Sequence, residues 1–261
     1  MSDSFYLNPV DGQDMVLIPA GRAVFGSPEG DPDARDNEHP QFKADLPDYY
    51  LGVHCVTNRQ YVRFLNATKP AEDDLVKWIL LSGRCHIKRE GEREYRVNAP
   101  ERWTDHPVVQ VSWCGARAYC EWAGLRLPTE LEWERGARGP EDRIYPWGGG
   151  WDADRCRHWG NRGGETTCDV DAYPEGANYW GLLNMSGNVW EWCADWYQAD
   201  AYARYATGDL SAPSEGEHKL LRGGSWYRDI PADFRCAHRV NYNPRRRDSD
   251  AGFRCARGPT V

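Results

Sequence analysis

The tetrapeptide Phe-Arg-Cys-Ala occurs twice near the end of this chain, at residues 234–237 and 253–256. Within each copy the apolar members alternate, so Phe234 falls with Cys236 on one side of an extended backbone, and Phe253 with Cys255. A period of two is the mark of a strand. Between the copies lie Asn241, Asn243, Pro244, Arg245, Arg246, Arg247, Asp248, Ser249 and Asp250, the composition of an exposed loop. The spacing predicts two neighbouring antiparallel strands joined by a long polar loop. A second irregular stretch, Tyr227 to Asp233, precedes them.

The rest of the chain limits what such a pair can pack against. Its 261 residues allow one large domain or two small ones. Mean hydropathy is −0.79 and no apolar run is long enough to cross a bilayer. No signal-like segment follows the first residues, which predicts a cytoplasmic protein. Thirteen Trp with 26 Gly and 17 Pro point to indoles packed around irregular backbone. A net charge of −8 argues against general nucleic-acid binding. Nine cysteines without a CxxC pair argue against a paired-cysteine zinc site and predict buried thiols.

In chain order, Met15 to Ile18 read as a strand, with a turn at Pro19 and a second strand towards Phe25. Residues 28–47 are acidic and read as a surface loop, and residues 49–53 as a strand. Thr57 caps a helix through about Asn66. Residues 68–105 read as a weakly structured insertion, or alternatively as a small hairpin after a helical turn. Ser112 caps a helix that Gly124 ends, and Thr129 with Glu132 forms a capping box for a helix through about Ala137. Beyond Gly148 no regular structure is predicted until Trp190.

Several of these stretches, taken together, resemble the formylglycine-generating enzyme (sulfatase-modifying factor) family. They include Trp122-Ala123-Gly124-Leu125-Arg126-Leu127-Pro128-Thr129-Glu130, Tyr145-Pro146-Trp147-Gly148, Asn184-Met185-Ser186-Gly187-Asn188-Val189-Trp190-Glu191, Leu221-Arg222-Gly223-Gly224-Ser225-Trp226 and Gly252-Phe253-Arg254-Cys255. The resemblance runs along nearly the whole chain. It implies an α+β, C-type-lectin-like fold with a small twisted antiparallel sheet, few helices and much irregular backbone. It makes residues 1–261 one domain, with 68–105 as an insertion and 220–257 as the terminal binding segment.

The resemblance carries two functional expectations. The family's oxidases turn a sulfatase cysteine into formylglycine, using two cysteines with four residues between them soon after the Gly-Gly-Ser-aromatic turn. Soft thiolates in such a pair suit Cu(I). Here residues 227–234 contain no cysteine, and the interval is about two residues shorter. A second branch, variable proteins of diversity-generating retroelements, keeps the fold and varies its C-terminal surface. Adenine-directed variation of Asn codons cannot yield Lys, Glu, Gln, Trp or Met, and residues 227–257 contain none of these. The expectation is a non-catalytic binder with a protein ligand; the alternative is a metal-dependent oxidase.

The expected contact residues are Tyr227, Arg228, Asp229, Ile230, His238, Val240, Asn241, Tyr242, Asn243, Arg245, Arg246, Asp248, Ser249 and Asp250. The segment from Lys219 to Arg257 carries ten Lys or Arg against four Asp, a basic face on an acidic body. Arg and Tyr are frequent anchors of binding surfaces. The resemblance also implies a structural calcium loop, with Asn184, Gly187, Val189 and Glu191 as ligands, since calcium takes hard oxygen donors. Cys120 and Cys255 match positions that the enzymes bridge, and both are expected to be thiols in a reducing compartment. Cys236 is expected to be a small buried core residue.

Overall fold

The computed structural model describes residues 4–258. The chain opens with β1 (Phe5–Leu7) and β2 (Asp14–Ile18), an antiparallel pair. Strands β3 (Gly21–Phe25) and β4 (Phe42–Leu46) form a ribbon of their own. β4 alternates buried and exposed residues inside the stretch expected to be loop, so that loop ends before Phe42. β5 (Tyr49–Gly52) returns to pair with β2.

Helix α1 (Asn58–Thr68) starts at Thr57, whose hydroxyl accepts the Gln60 N–H while the Gln60 side chain accepts the Thr57 N–H. Tyr61, Phe64 and Leu65 are its buried face. The 68–105 excursion is ordered, as the hairpin alternative had it. It contains α2 (Glu72–Trp78), the hairpin β6 (Ile87–Arg89) with β7 (Tyr95–Val97), and a single turn α3 (Pro100–Trp103). α4 (Trp113–Trp122) is capped by Ser112 and α5 (Glu130–Arg138) by the Thr129–Glu132 box. Short 3-10 turns and irregular backbone then lead to β8 (Trp190–Trp196), α6 (Ala201–Ala206) and β9 (Lys219–Arg222). The end of the chain adds β10 (Val240–Tyr242), β11 (Ala251–Gly252) and β12 (Ala256–Arg257).

Two four-stranded sheets result, in the orders β1-β2-β5-β12 and β10-β9-β8-β11. The terminal segment therefore belongs to both: β10 and β11 edge one sheet, and β12 closes the other. Trp133, Trp192 and Trp226 lie fully buried between and beside them. Among the described residues no helix is long and apolar enough to cross a membrane.

The two Phe-Arg-Cys-Ala copies are not the neighbouring antiparallel strands that their alternation predicts. The first begins on the last residue of a 3-10 turn, Pro231–Phe234, and the second bridges β11, which pairs parallel with β8, to β12, which pairs with β5. The reason lies in the arginines. A half-exposed strand would turn Arg235 and Arg254 to water, but they are only 2 % and 0 % exposed. Arg235 clamps both oxygens of Glu38 at 2.9 and 2.8 Å, and Arg254 clamps both oxygens of Glu191 at 2.6 and 2.7 Å. All four residues of each copy are interior, and each copy is an irregular anchor.

A stack of rings joins the excursion to His106 just beyond it. His86 lies flat on Trp103 at 3.7 Å between ring centroids, and His106 meets the same indole edge-on at 4.6 Å. Burial, with nearby arginines adding to it, pushes both imidazoles down to about 4. Unfolded histidines take protons near their ordinary 6.5, so stability from this stack is present above that value and is lost as pH falls towards 4. We expect the thermal midpoint to drop between pH 6.5 and 4, and His86→Phe to flatten that drop. A midpoint that stays level across this range would contradict the assignment.

Candidate functional site

The C-terminal surface is set by the turn Arg222-Gly223-Gly224-Ser225-Trp226. Gly223 and Gly224 have φ of +96° and +76°, and a Cβ on Gly224 would stand 2.6 Å from the Phe234 ring. Only glycine meets both demands. Beyond them the Trp226 N–H donates to the Asn188 carbonyl at 2.9 Å, and its indole N–H to the Ser249 carbonyl at 2.9 Å. The Ser225 hydroxyl donates to Asp250 at 2.9 Å. Trp226 is thereby buried, and the next four residues, Tyr227, Arg228, Asp229 and Ile230, are all exposed. Tyr227 and Ile230 are 56 % and 55 % exposed, and Trp159 beside Tyr227 is 42 % exposed, so apolar surface is concentrated here.

The second part of the surface is β10 and its following loop. Asn241, Asn243, Arg245 and Arg246 are exposed, while Val240, Tyr242, Asp248, Ser249 and Asp250 are half-buried. Tyr242 rests against Trp192 and donates its hydroxyl to Asp248, and Arg246 lies over the Tyr242 ring. The loop is pinned from behind, because the backbone N–H groups of Gln110 and Trp113 donate to the Asp248 and Pro244 carbonyls. So Asp248, Ser249 and Asp250 shape the surface through internal bonds as well as facing it.

His238 is a correction. It is 2 % exposed, with its ring nitrogens 3.4 Å from Glu38 and 3.6 Å from Asp233. Burial holds its pKa below the ordinary histidine value, although both carboxylates pull the other way. It forms the floor of a shallow cavity of about 280 Å³ whose rim includes Arg35, Arg228 and Asn241. The ring is oriented inwards because Glu38 arrives from the far end of the chain.

Three contributors escape the sequence expectation. Trp159, 42 % exposed, meets Tyr227 edge-on at 5.3 Å, and its backbone N–H donates to the Arg228 carbonyl. The Arg162 guanidinium lies 3.7 Å over the Trp159 ring. Arg84, from the 68–105 excursion, lies 5.2 Å over Trp226. The i, i+3 spacing of Trp159 and Arg162 is the one local signal that could have marked them.

In the loop expected to hold calcium, the Glu191 carboxylate is engaged by protein donors. Its oxygens accept Arg254, the Trp133 indole N–H at 2.8 Å and the Cys55 thiol at 3.2 Å, all buried. An arginine clamped on a carboxylate supplies the positive charge that a calcium ion would bring. Asn184 spends its amide on the Val170 carbonyl and on Asn188. Chelation with EGTA is expected to leave the thermal midpoint unchanged; a rise of several degrees on adding calcium would show that a cation, and not Arg254, engages Glu191.

All nine cysteines are unbridged, with the Cys120 and Cys255 sulfurs 3.4 Å apart. Cys236 is fully buried, and burial pushes its thiol up to about 12. Only Cys114 is exposed. Thiolates are the reactive form, so one thiol per native chain should react quickly with Ellman's reagent and be lost in Cys114→Ser. Rapid reaction of three or more would contradict the packing.

The family profile described as "Sulfatase-modifying factor enzyme 1-like domain" matches residues 3–259. The chain is 33 % identical to the formylglycine-generating enzyme of Thermomonospora curvata over 289 residues, covering 94 % of this chain and 93 % of that one. It is 38 % identical over 248 residues to the serine/threonine-protein kinase pkn1 of Chlamydia caviae, covering 94 % of this chain; it spans only 38 % of that relative's length. Among solved structures, PvdO from Pseudomonas aeruginosa superposes with a TM-score of 0.78 at 24 % identity, covering 99 % of both chains. Treponema denticola variable protein 1 superposes at 0.69 with 23 % identity, covering 98 % of both. These likenesses establish the expected C-type-lectin-like fold.

Proposed function

The chain belongs to the sulfatase-modifying-factor family, and from that premise we propose that it is a non-catalytic member that binds a protein ligand through its C-terminal surface. One observation carries this reading. Where the family's oxidases hold their cysteine pair, residues 227–230 are instead four successive exposed side chains without sulfur, mounted on a buried Trp226. A fold is not a function, and the chemistry of this stretch is that of a contact surface. Exposed loop positions on a rigid scaffold tolerate exchange because they contribute little to the core. This also favours C-terminal diversification, for which the decisive observation is a neighbouring reverse transcriptase gene beside an adenine-biased near-copy of this terminus.

The test is oxygen uptake with a cysteine-containing peptide in the presence of Cu(I). A binder gives no uptake above the copper-only blank and no stoichiometric Cu(I) retention against a thiol competitor. Turnover, or one tightly held copper per chain, would establish the oxidase alternative that the 33 % identity to a formylglycine-generating enzyme raises.

A further inference from the structure

Resting on the binding reading, we propose that the partner presents an acidic polypeptide segment. Its carboxylates would sit on the guanidinium edges of Arg84, Arg162 and Arg228, and an apolar side chain between them would lie on Tyr227 and Trp159. The surface is built for both parts. Tyr227 packs edge-on against Trp159 and against the buried Trp226, each at 5.3 Å between centroids, so rings from two separated segments make one aromatic plate. Arg162 covers Trp159 at 3.7 Å and also approaches Trp226 at 5.5 Å, and Arg84 covers Trp226 at 5.2 Å. Arg228 lies 5.6 Å over Trp190.

Guanidinium groups stacked on rings keep their in-plane N–H edges, the geometry that takes a carboxylate with two parallel bonds. Those edges are under-used here. Among the described residues neither Arg84 nor Arg162 forms an ion pair; Arg84 donates to the Ser249 hydroxyl at 3.5 Å and Arg162 to the Glu165 carbonyl at 3.1 Å. Arg228 has Asp233 only at 3.9 Å, and Asp233 is already held by Arg35 at 2.8 Å. The negative charges near these arginines are Asp229, exposed; Asp248, half-buried and held by Tyr242 and Arg246; Asp250, half-buried and bonded to Ser225; and Glu165, exposed and paired with Arg102. Three under-committed cations thus outweigh Asp229, the carboxylate of this set that forms no hydrogen bond or ion pair among the described residues, on a chain whose overall charge is −8. That body repels extended polyanions, while a short acidic segment meets only the plate.

The experiment uses the full chain and fluorescence anisotropy with three labelled probes: a peptide alternating Glu with Leu, one alternating Lys with Leu, and a single-stranded oligonucleotide of the same charge as the first. The Glu-Leu peptide alone is expected to bind, with affinity falling about tenfold for each of Arg162→Ala, Arg84→Ala and Tyr227→Ala, and falling again with added salt. Equal binding of either control probe, no binding of the Glu-Leu peptide, indifference to Arg162→Ala, or blocking of the plate by a second copy of the chain would each overturn the proposal. Circular dichroism checks that the variants remain folded, Arg84 and Tyr227 being exposed and Arg162 half-buried. Oxygen uptake measured on the same preparations separates the two readings. Turnover together with Arg162-dependent peptide binding would defeat the non-catalytic reading and leave the acidic preference standing. No turnover and no selectivity would defeat the acidic preference alone.

Discussion

Replacing Arg254 by alanine is expected to destabilise the protein by about 3–5 kcal/mol, the range for breaking a buried pair from one side. Arg254 and Glu191 are both fully buried. The same guanidinium also donates to the Gly52 carbonyl at 2.9 Å and the Leu183 carbonyl at 2.7 Å. One side chain therefore ties β8, the edge of β5 and the irregular loop before Met185. Its loss orphans a buried carboxylate and two carbonyls at once. The double variant Arg254→Ala with Glu191→Ala should recover part of the loss, because no uncompensated charge remains. Denaturant unfolding reads both values, and a single-variant loss under about 1 kcal/mol would mean that the pair does not hold the frame.

Glu38→Ala is expected to have an effect of the same size, for a parallel reason. Glu38 is fully buried, and it receives Arg235 on both oxygens, the Ser27 hydroxyl at 2.7 Å and His238. Burial alone would raise its pKa, but the His238, Ser27 and Arg235 contacts outweigh it and bring the carboxyl down to about 2. The sign follows. A carboxylate depressed in the folded state stabilises it above the ordinary value of 4.5, and that contribution is lost as pH falls from 4.5 through 2. Wild type should lose stability across that window, below the histidine window described above, and Glu38→Gln should lose less there. Identical slopes for the two proteins between pH 4.5 and 2 would remove Glu38 from this role.

What the sequence revealed was local, and what it concealed was long-range. Thr57 as an N-cap and the Thr129–Glu132 capping box announced two helices, because such signals are complete within four residues. The apolar strands at residues 14–18 and 49–52 were equally plain. The Phe-Arg-Cys-Ala copies misled because the alternation of Phe and Cys about one residue reads as a strand, whatever the arginine between them binds. Glu38 and Glu191, which hold these arginines inside, lie far away in the chain. His238 was placed on the surface for the same reason, as Glu38 turns it inwards. β4 was hidden because its exposed Lys43 and Asp45 continue the polar composition of the preceding loop.

The candidate surface was half legible. Tyr227 to Ile230 and the arginine loop stood out as irregular, polar and aromatic. Trp159, Arg162 and Arg84 did not, because folding alone brings residues 84 and 159–162 to Trp226. The excursion at 68–105 was read as a weak insertion, yet it supplies Arg84 and receives Arg247 at the Val76 carbonyl.

Buried ion pairs lock the frame, and the exposed side chains of the C-terminal surface contribute little to holding it together. The direct measurement is the thermal midpoint of a variant with Tyr227, Arg228, Asp229, Ile230, Asn241, Arg245 and Arg246 all replaced by serine. Surface substitutions away from caps and buried contacts cost at most a few tenths of a kcal/mol each. Cooperative unfolding within about 8 °C of wild type is therefore expected. Loss of the cooperative transition would show that these side chains belong to the frame.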